Sequence, residues 1–381
     1  MPAGSATRSL HLTLIDPSGY SRPYDHELAR ALAARGHEVT LVTAHFVHGE
    51  PPVPDGYRVD ERFYRWSNGL RVGGGLRRVA KAGEHVAGLA GLGRAVARER
   101  PDVVHVQWSV LRPLERRFYR RMLASGMPVV FTAHDPVPNV GGRSRLRSAA
   151  ATARVFDRVI CHSDWGRRAL VDRCGVDPAR VRVIPHGALT YLRDEPPVAS
   201  PVEADGPVAV LPGIIRAYKG ADTLLRAWPE VRRRVTGATL VVAGRPMMDL
   251  SALPGGQPGV KLLPRYLTDA ELAALLRRAD AVVLPYRRID SSGVLFAALA
   301  FGAPLVLSDV GGFRELHEEH GLGVLVRPGD ADALAAAVSD VLADGARRAE
   351  LAAASERAAA GAFGWGTIAA QTEAVYREVV R

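Results

Sequence analysis

The sequence is poor in most of the residues that would signal a special environment. Its 381 residues include two cysteines, Cys161 and Cys174. Two cysteines make no disulfide framework and have no zinc spacing, so both read as small buried hydrophobes. No apolar run approaches the length of a membrane span. The opening MPAGSATRSLHLTLID lacks the long apolar core of a signal peptide and runs straight into strand-like sequence, so the expected location is the cytoplasm. Lysine is nearly absent: Lys81, Lys219 and Lys261 are the only lysines among 50 basic residues. The others are arginine, and the net charge of +10 attracts anionic partners such as nucleotide phosphates or anionic lipid. Arginine is spread along the chain without repeated aromatics and no nucleic-acid module is visible, so nucleic acid is not an expected partner. A full G-x-G-x-x-G is missing from the loop after the first strand, which argues against a dinucleotide-dependent dehydrogenase.

What the sequence does contain is alternation. Short apolar runs at Leu10–Ile15, Glu38–Thr43, Asp102–Gln107, Pro128–Thr132 and Arg158–Cys161 read as strands, with helical patterns between them. A second series runs through Val208–Leu211, Thr239–Val242, Gly259–Leu263, Ala281–Leu284, Pro304–Leu307 and Gly323–Val326. This spacing predicts βαβ units and parallel sheets, hence an α/β protein with two Rossmann-like domains. Residues 1–192 form the first domain and 207–364 the second. The Pro-, Asp- and Glu-rich stretch 193–206 reads as the linker between them. Ligands of such sheets bind at strand carboxyl ends, so the expected site is a cleft between the two halves.

Four loops at those ends carry chemistry. Gly213-Ile-Ile-Arg216-Ala-Tyr218-Lys219-Gly220 follows a strand and opens a helix. Free N–H groups and the helix dipole favour an anion there, and Arg216 and Lys219 add two cations. In Asp290-Ser291-Ser292-Gly293-Val294, the Ser-Ser-Gly entry to an apolar helix offers hydroxyls and approachable N–H groups to a diphosphate; ordinary N-capping is compatible with this. His134, with Asp135 beside it, stands immediately past a strand in F-T-A-H-D-P. Gly19 and Tyr20 lie in the loop after the first strand, which is read as open to a ligand phosphate or an acceptor. Asp330-Ala-Asp332 looks like a metal-binding D-x-D but opens a helical run, and is read as helix capping.

In this order the motifs resemble retaining glycosyltransferase family 4, of GT-B fold. The resemblance spans nearly the whole chain: R-A-L-A-A-R-G-H-E-V, T-A-H-D, V-I-P-H-G, I-R-A-Y-K-G, P-Y then S-S-G-V, A-L-A-F-G-A-P-L-V, and S-D-V-G-G-F-R-E-L. It implies transfer of a sugar from a nucleotide-diphosphate sugar to an acceptor hydroxyl, with retention and without a metal or other cofactor. Lys219 and Arg216 would neutralise the diphosphate, and Ser291, Ser292, Gly293 and Val294 would cradle it with Gly213. His134 would position the sugar, the loop Arg265-Tyr266-Leu267 would meet the base, and a last helix over 365–381 would cross back to the first, acceptor-binding domain. In motif style the chain is closest to mannosyl- or rhamnosyl-type enzymes acting on lipid-linked or surface polysaccharides.

The sequence also departs from the commoner family pattern. Ile214 stands where an arginine is usual, leaving that work to Arg216. Ala297 replaces the glutamate of the ribose contact, and Ile289, or Asp290 with a one-residue gap, replaces the glutamate of the sugar contact. Two other readings therefore stay open: an inactive GT-B partner or sugar-nucleotide binder, and a nucleotide-sugar epimerase of the same fold. Two basic stretches with aromatics offer a peripheral contact with anionic membrane: Arg71, Arg77, Arg78 and Lys81 near Trp66 and Leu76, and Arg116, Arg117, Arg120 and Arg121 near Phe118 and Tyr119.

Overall fold

A computed structural model describes residues 8–46, 51–69, 74–137, 142–289 and 291–380. Asp290 and Arg71 lie outside the described residues. The chain divides into two compact units, Met1–Pro185 with Trp365–Arg381, and His186–Gly364.

The first unit is built from β1 (His11–Asp16), α1 (Arg22–Ala34), β2 (Glu38–Ala44), β3 (Arg58–Phe63), α2 (Gly74–Glu99), β4 (Val103–Val106), α3 (Arg112–Ala124), β5 (Val129–Thr132), α4 (Arg143–Ala153), β6 (Arg158–Cys161), α5 (Asp164–Arg168) and β7 (Val181–Val183). The second holds β8 (Val208–Pro212), α6 (Ala221–Arg234), β9 (Thr239–Ala243), β10 (Val260–Leu263), α7 (Asp269–Arg278), β11 (Ala281–Leu284), α8 (Gly293–Ala300), β12 (Leu305–Ser308), α9 (Gly312–His320), β13 (Val324–Val326), α10 (Ala331–Ala343) and α11 (Gly345–Ala360). The last helix, α12 (Trp365–Val379), belongs to the first unit.

Both sheets are parallel throughout. Their strand orders are β3-β2-β1-β4-β5-β6-β7 and β10-β9-β8-β11-β12-β13. The central strands are apolar on both faces because helices cover both sides; β8, VAVLP, is buried at every residue. In each sheet the chain first winds one way and then returns to wind the other, so the order reverses between β1 and β4 and between β8 and β11. At these switch points neighbouring loops diverge and leave a crevice at the strand carboxyl ends. The loops singled out in the sequence follow β1, β5, β8 and β11, at or beside those crevices.

Two strands are additions to the sequence reading. β3, RVDERF, and β7, VRV, are the sheet edges, where a strand needs no continuous apolar run. The linker reading differs more. Contacts divide the chain after Pro185, and 193–206 belongs to the second unit. Val202 is buried against Val208, Val210 and Leu275, and the Arg278 guanidinium donates to the carbonyls of Ala204 and Gly206. A Pro-rich composition described a coil pinned to the surface of its own domain. The return of α12 is fixed by Arg35–Glu373 at 2.6 Å, by Glu378 with Arg158 and Arg182, and by Tyr376 against His105 at 2.7 Å. Asp330 caps α10, accepting from the N–H of Ala333 at 2.9 Å. Both cysteines are buried and neither is in a disulfide.

Candidate active site

The second unit brings two glycine-bearing loops together. Gly213 has φ +94°, and a Cβ on it would lie 2.6 Å from Val294 Cγ2 and 3.2 Å from Lys219 Nζ. Three residues separated in sequence thus converge on one point. Gly220, at φ +72°, presses its Cα against the Pro285 carbonyl, leaving no room for a side chain. The same two loops are stapled by Arg287: its N–H donates to Tyr218 O at 2.7 Å, Nη1 donates to Ala217 O at 2.8 Å, and the guanidinium pairs with Asp222. Gly244, after β9, adds a third close approach; a Cβ there would sit 2.1 Å from Gly213 O. The sequence reading missed Gly244, although a glycine directly after a buried strand was the available signal.

This packing presents cations and donors without partners. The side chains of Lys219 and Arg216 make no ion pair or hydrogen bond among the described residues. The ammonium stands 5.3 Å from the centre of the Tyr286 ring. Burial, helped by the nearby Arg216 charge, pushes the Lys219 pKa down to about 8. At the start of α8, Ser292 supplies no side-chain cap, its hydroxyl lying instead 3.4 Å from Tyr286 OH. The N–H groups of Gly293 and Val294 find no acceptor among the described residues, and Ser291 Oγ is buried without a partner. Donors and cations left uncompensated around one point are what an anion completes.

Other expected donor-site residues are placed differently. Arg265 is spent on Glu271, donating at 2.9 and 2.7 Å, within the box that caps α7. Leu267 is buried in an apolar cluster, and Tyr266 is half-exposed. The loop lies beyond β10, at the edge of the sheet on the β9 side of β8. Ala297 is buried in the main core, so a methyl fills the position of the family glutamate.

In the first unit His134 is held on every side. Its Nε2 lies 3.0 Å from Gln107 Oε1 and its Nδ1 3.0 Å from His162 Nε2. Trp108 stacks on the ring at 5.3 Å, and Tyr24 meets it edge-on at 4.8 Å. The tautomer follows from the neighbours. His162 Nδ1 faces the Ile184 carbonyl at 3.0 Å and must donate to it. Burial lowers the His162 pKa to about 4, so near neutral pH its Nε2 is a bare acceptor. His134 Nδ1 therefore carries the proton that His162 Nε2 accepts. Gln107, Trp108 and His162 were not singled out in the sequence; each follows a strand end, as His134 does. Asp135 is exposed.

The β1–α1 loop is ordered from below. Asp16, fully buried, accepts from the N–H groups of Ser18 and Ser21, and Gly19 turns at φ +62°. Ser21 Oγ lies near both Asp16 and Asp25 and accepts from Trp108 Nε1 at 2.8 Å. Burial and the Asp16 carboxylate push the Asp25 pKa well above the carboxylate range. Tyr20 is exposed and packs edge-on to Trp108 at 5.0 Å. Among the described residues no group of three or more His, Cys, Asp or Glu could hold a metal ion.

Residues 24–189 match the family model described as Glycosyltransferase Family 4, and residues 206–344 that of Glycosyl transferases group 1. A D-inositol 3-phosphate glycosyltransferase of Kineococcus radiotolerans is 31% identical, over 96% of this chain and 91% of that protein. The chain belongs to glycosyltransferase family 4. A glycogen synthase of Mycobacterium tuberculosis is 30% identical over 92% of this chain and 89% of its own. Among solved structures, sucrose-phosphate synthase from Thermosynechococcus elongatus superposes with a TM-score of 0.71 at 22% identity, covering 97% of this chain and 98% of that one. Anabaena HepE, solved with UDP, gives 0.70 at 18% identity, covering 97% and 100%. These neighbours share the GT-B fold. As a family member the chain is a retaining glycosyltransferase that takes its sugar from a nucleotide-sugar donor.

Proposed function

We propose that the donor's diphosphate is bound by the second unit, at the point where Gly213, Lys219 and Val294 converge. The supporting observation is the set of uncompensated groups there: two cations, the first N–H groups of α8 and the Ser291 hydroxyl. As the sugar–phosphate bond breaks, negative charge grows on the leaving diphosphate, and groups already aimed at it stabilise that transition state without reorganising. Attack from the same face, with the departing phosphate taking the acceptor's proton, gives retention and needs no protein base. The rigid His134–Trp108 face serves the transferred sugar, a sugar hydroxyl replacing Gln107 at His134 Nε2.

The test is a thermal-shift screen with UDP-, GDP-, dTDP- and ADP-sugars, beginning with UDP because UDP is bound in HepE. A donor at a hundred times its Kd stabilises by about 2.7 kcal/mol. The Lys219 pKa adds a signature. Below about pH 8 the free protein holds the ammonium charged; above it the proton is lost and the diphosphate loses its partner. Donor affinity is expected to fall by up to about tenfold per pH unit above pH 8. A flat Kd from pH 7 to 10 would remove Lys219 from the site.

We also propose a peripheral contact between the first unit and anionic membrane. Leu76, Val79 and Trp66 are exposed, as are Arg77 and Arg78, while Arg116, Arg117, Arg120 and Arg121 on α3 make no ion pair among the described residues. Tyr119 takes no part, being fully buried against Phe156. Flotation with phosphatidylglycerol vesicles at low salt is expected, and replacing the four α3 arginines by glutamine is expected to reduce it severalfold. Failure to float at low salt refutes the contact. Among the described residues no helix is long and apolar enough to cross a membrane.

A further inference from the structure

The β1–α1 loop stands on two carboxyl groups for which glycosyl transfer has no direct use. Asp16, at the end of β1, and Asp25, in the first turn of α1, are both fully buried. One serine hydroxyl serves them both: Ser21 Oγ is 3.4 Å from Asp16 and 3.3 Å from each oxygen of Asp25. The same oxygen accepts from the Trp108 indole N–H at 2.8 Å. Trp108 in turn lies flat on His134, with an interplanar angle of 10°, and meets the exposed Tyr20 edge-on. Two buried acids are thus joined through one hydroxyl to the indole that covers His134.

Protons are short at this point. Ser21 has one hydroxyl hydrogen, and Trp108 gives it no acceptor in return. Asp16 is well supplied with donors: the Ser18 N–H at 3.0 Å, the Ser18 hydroxyl at 2.6 Å and the Ser21 N–H at 3.1 Å. These favour its ionised form. Asp25 accepts from Ser21 alone among the described residues. The Arg22 guanidinium favours a charged Asp25, but it is paired with Glu61 at 3.2 Å. A second charge here would be buried beside the first, and two such carboxylates do not ionise together. Burial and Asp16 accordingly push the Asp25 pKa well up. The remaining titratable groups on the elements around α1 have partners of their own. Glu27 pairs with Arg30, Glu38 of β2 with Arg58, and Glu373 of α12 with Arg35. Tyr57 bonds to His26, Tyr24 packs on His134, and Tyr376 of α12 bonds to His105 of β4, which burial keeps uncharged.

We propose that Asp25 is a positioning residue: it carries a proton, gives it in a hydrogen bond to Asp16, and the pair fixes Ser21 beneath Trp108 so that the indole stays on His134. A neutral acid donates where a carboxylate only accepts. With Asp25 donating to Asp16, the Ser21 hydrogen points at a carboxyl oxygen and its lone pair at the indole N–H. Every polar group of the set then has a partner, and the loop buries one negative charge instead of two. Asp25 touches no reacting atom; it acts through Trp108 on the face offered to the sugar. The inference rests on the glycosyl-transfer reading for its turnover readout, while the proton on Asp25 is measurable without substrate.

The experiment compares wild type, Asp25→Asn, Asp25→Ala and Ser21→Ala as full-length proteins. The asparagine amide donates as the protonated acid does and cannot ionise. In the unfolded chain Asp25 ionises near pH 4, so above that pH the wild type takes up a proton when it folds. Relative to Asp25→Asn, its unfolding equilibrium constant in denaturant is expected to rise by up to about tenfold per pH unit from about pH 5 upward, until the folded-state acid itself ionises. A ratio that stays constant from about pH 5 to about pH 8 marks an ordinary carboxylate and overturns the proposal. The second arm reads the positioning at about pH 7, where Lys219 is still charged. Asp25→Ala and Ser21→Ala are each expected to slow nucleoside diphosphate release from bound donor by about tenfold, the worth of one good hydrogen bond. The Kd for UDP, a property of the second unit, is expected to stay within about twofold of wild type, and Asp25→Asn to recover most of the lost rate. Unchanged turnover in both alanine variants, or Asp25→Asn as slow as Asp25→Ala, overturns the proposal. Should Asp25→Ala fail to fold, Ser21→Ala keeps both acids and carries this arm. A wild type that releases no nucleoside diphosphate from any donor fails the glycosyl-transfer reading instead, and the pH arm alone then decides the proton on Asp25.

Discussion

Lys219→Ala is expected to lower the rate of donor turnover, read as release of nucleoside diphosphate, by about 10²–10³-fold. One preorganised donor at a developing oxyanion contributes about 3 kcal/mol, and each 1.36 kcal/mol is a factor of ten. The Lys219 ammonium makes no ion pair or hydrogen bond among the described residues; its contact there is with the face of the Tyr286 ring at 5.3 Å. Its removal should therefore leave the melting temperature unchanged or higher: burial lowers its pKa, so the charged form is disfavoured in the free protein. Lys219→Arg should not rescue. The ammonium lies where a Cβ on Gly213 would be 3.2 Å away, against the Val294 methyl, and a flat guanidinium is too wide for that gap. The composition points the same way. A chain that uses lysine three times among 50 basic residues keeps one where the shape of the cation matters. Activity within threefold of wild type in either variant would displace Lys219 from the reaction.

What could be read from the sequence, and what could not, follows from which interactions are local. Central strands such as β8 and β11 were visible because a parallel strand buried on both faces is apolar at every position. The edge strand β3 was not, since RVDERF alternates charge along a rim that water reaches. The diphosphate loops were legible because glycine, serine and lysine at a strand-to-helix turn carry their chemistry within a few residues. The setting of His134 was not: Gln107 and His162 reach it from 27 and 28 residues away, and only the sheet order β4-β5-β6 brings them together. Tyr119 shows the same limit in reverse. Its place in an arginine-rich run suggested surface, but the helix phase turns it into the core. The misplaced linker had a related cause, because composition reports that a segment is not a helix or strand and says nothing of what it packs against.

Gly220→Ala is expected to be the most damaging single-atom change in the donor site, destabilising the protein by about 2–4 kcal/mol. Two costs combine. The residue sits at φ +72°, which a side chain tolerates at about 1–2 kcal/mol. The new methyl would also fall 2.0 Å from the Pro285 carbonyl, an atom of the adjoining loop's backbone that cannot rotate away. Relief requires the β8–α6 and β11–α8 loops to separate, which strains Arg287 N–H to Tyr218 O and carries Lys219 away from α8. Gly237→Ala isolates the first cost: its φ is +80°, but a Cβ there has open space. Calorimetry should show Gly237→Ala losing about 1–2 kcal/mol with donor affinity intact. Gly220→Ala should lose more and bind donor at least tenfold more weakly in the fraction that remains folded. If the two variants melt together and bind alike, the loops do not brace one another, and the donor site is held by some other contact than the approach of Gly220 to Pro285.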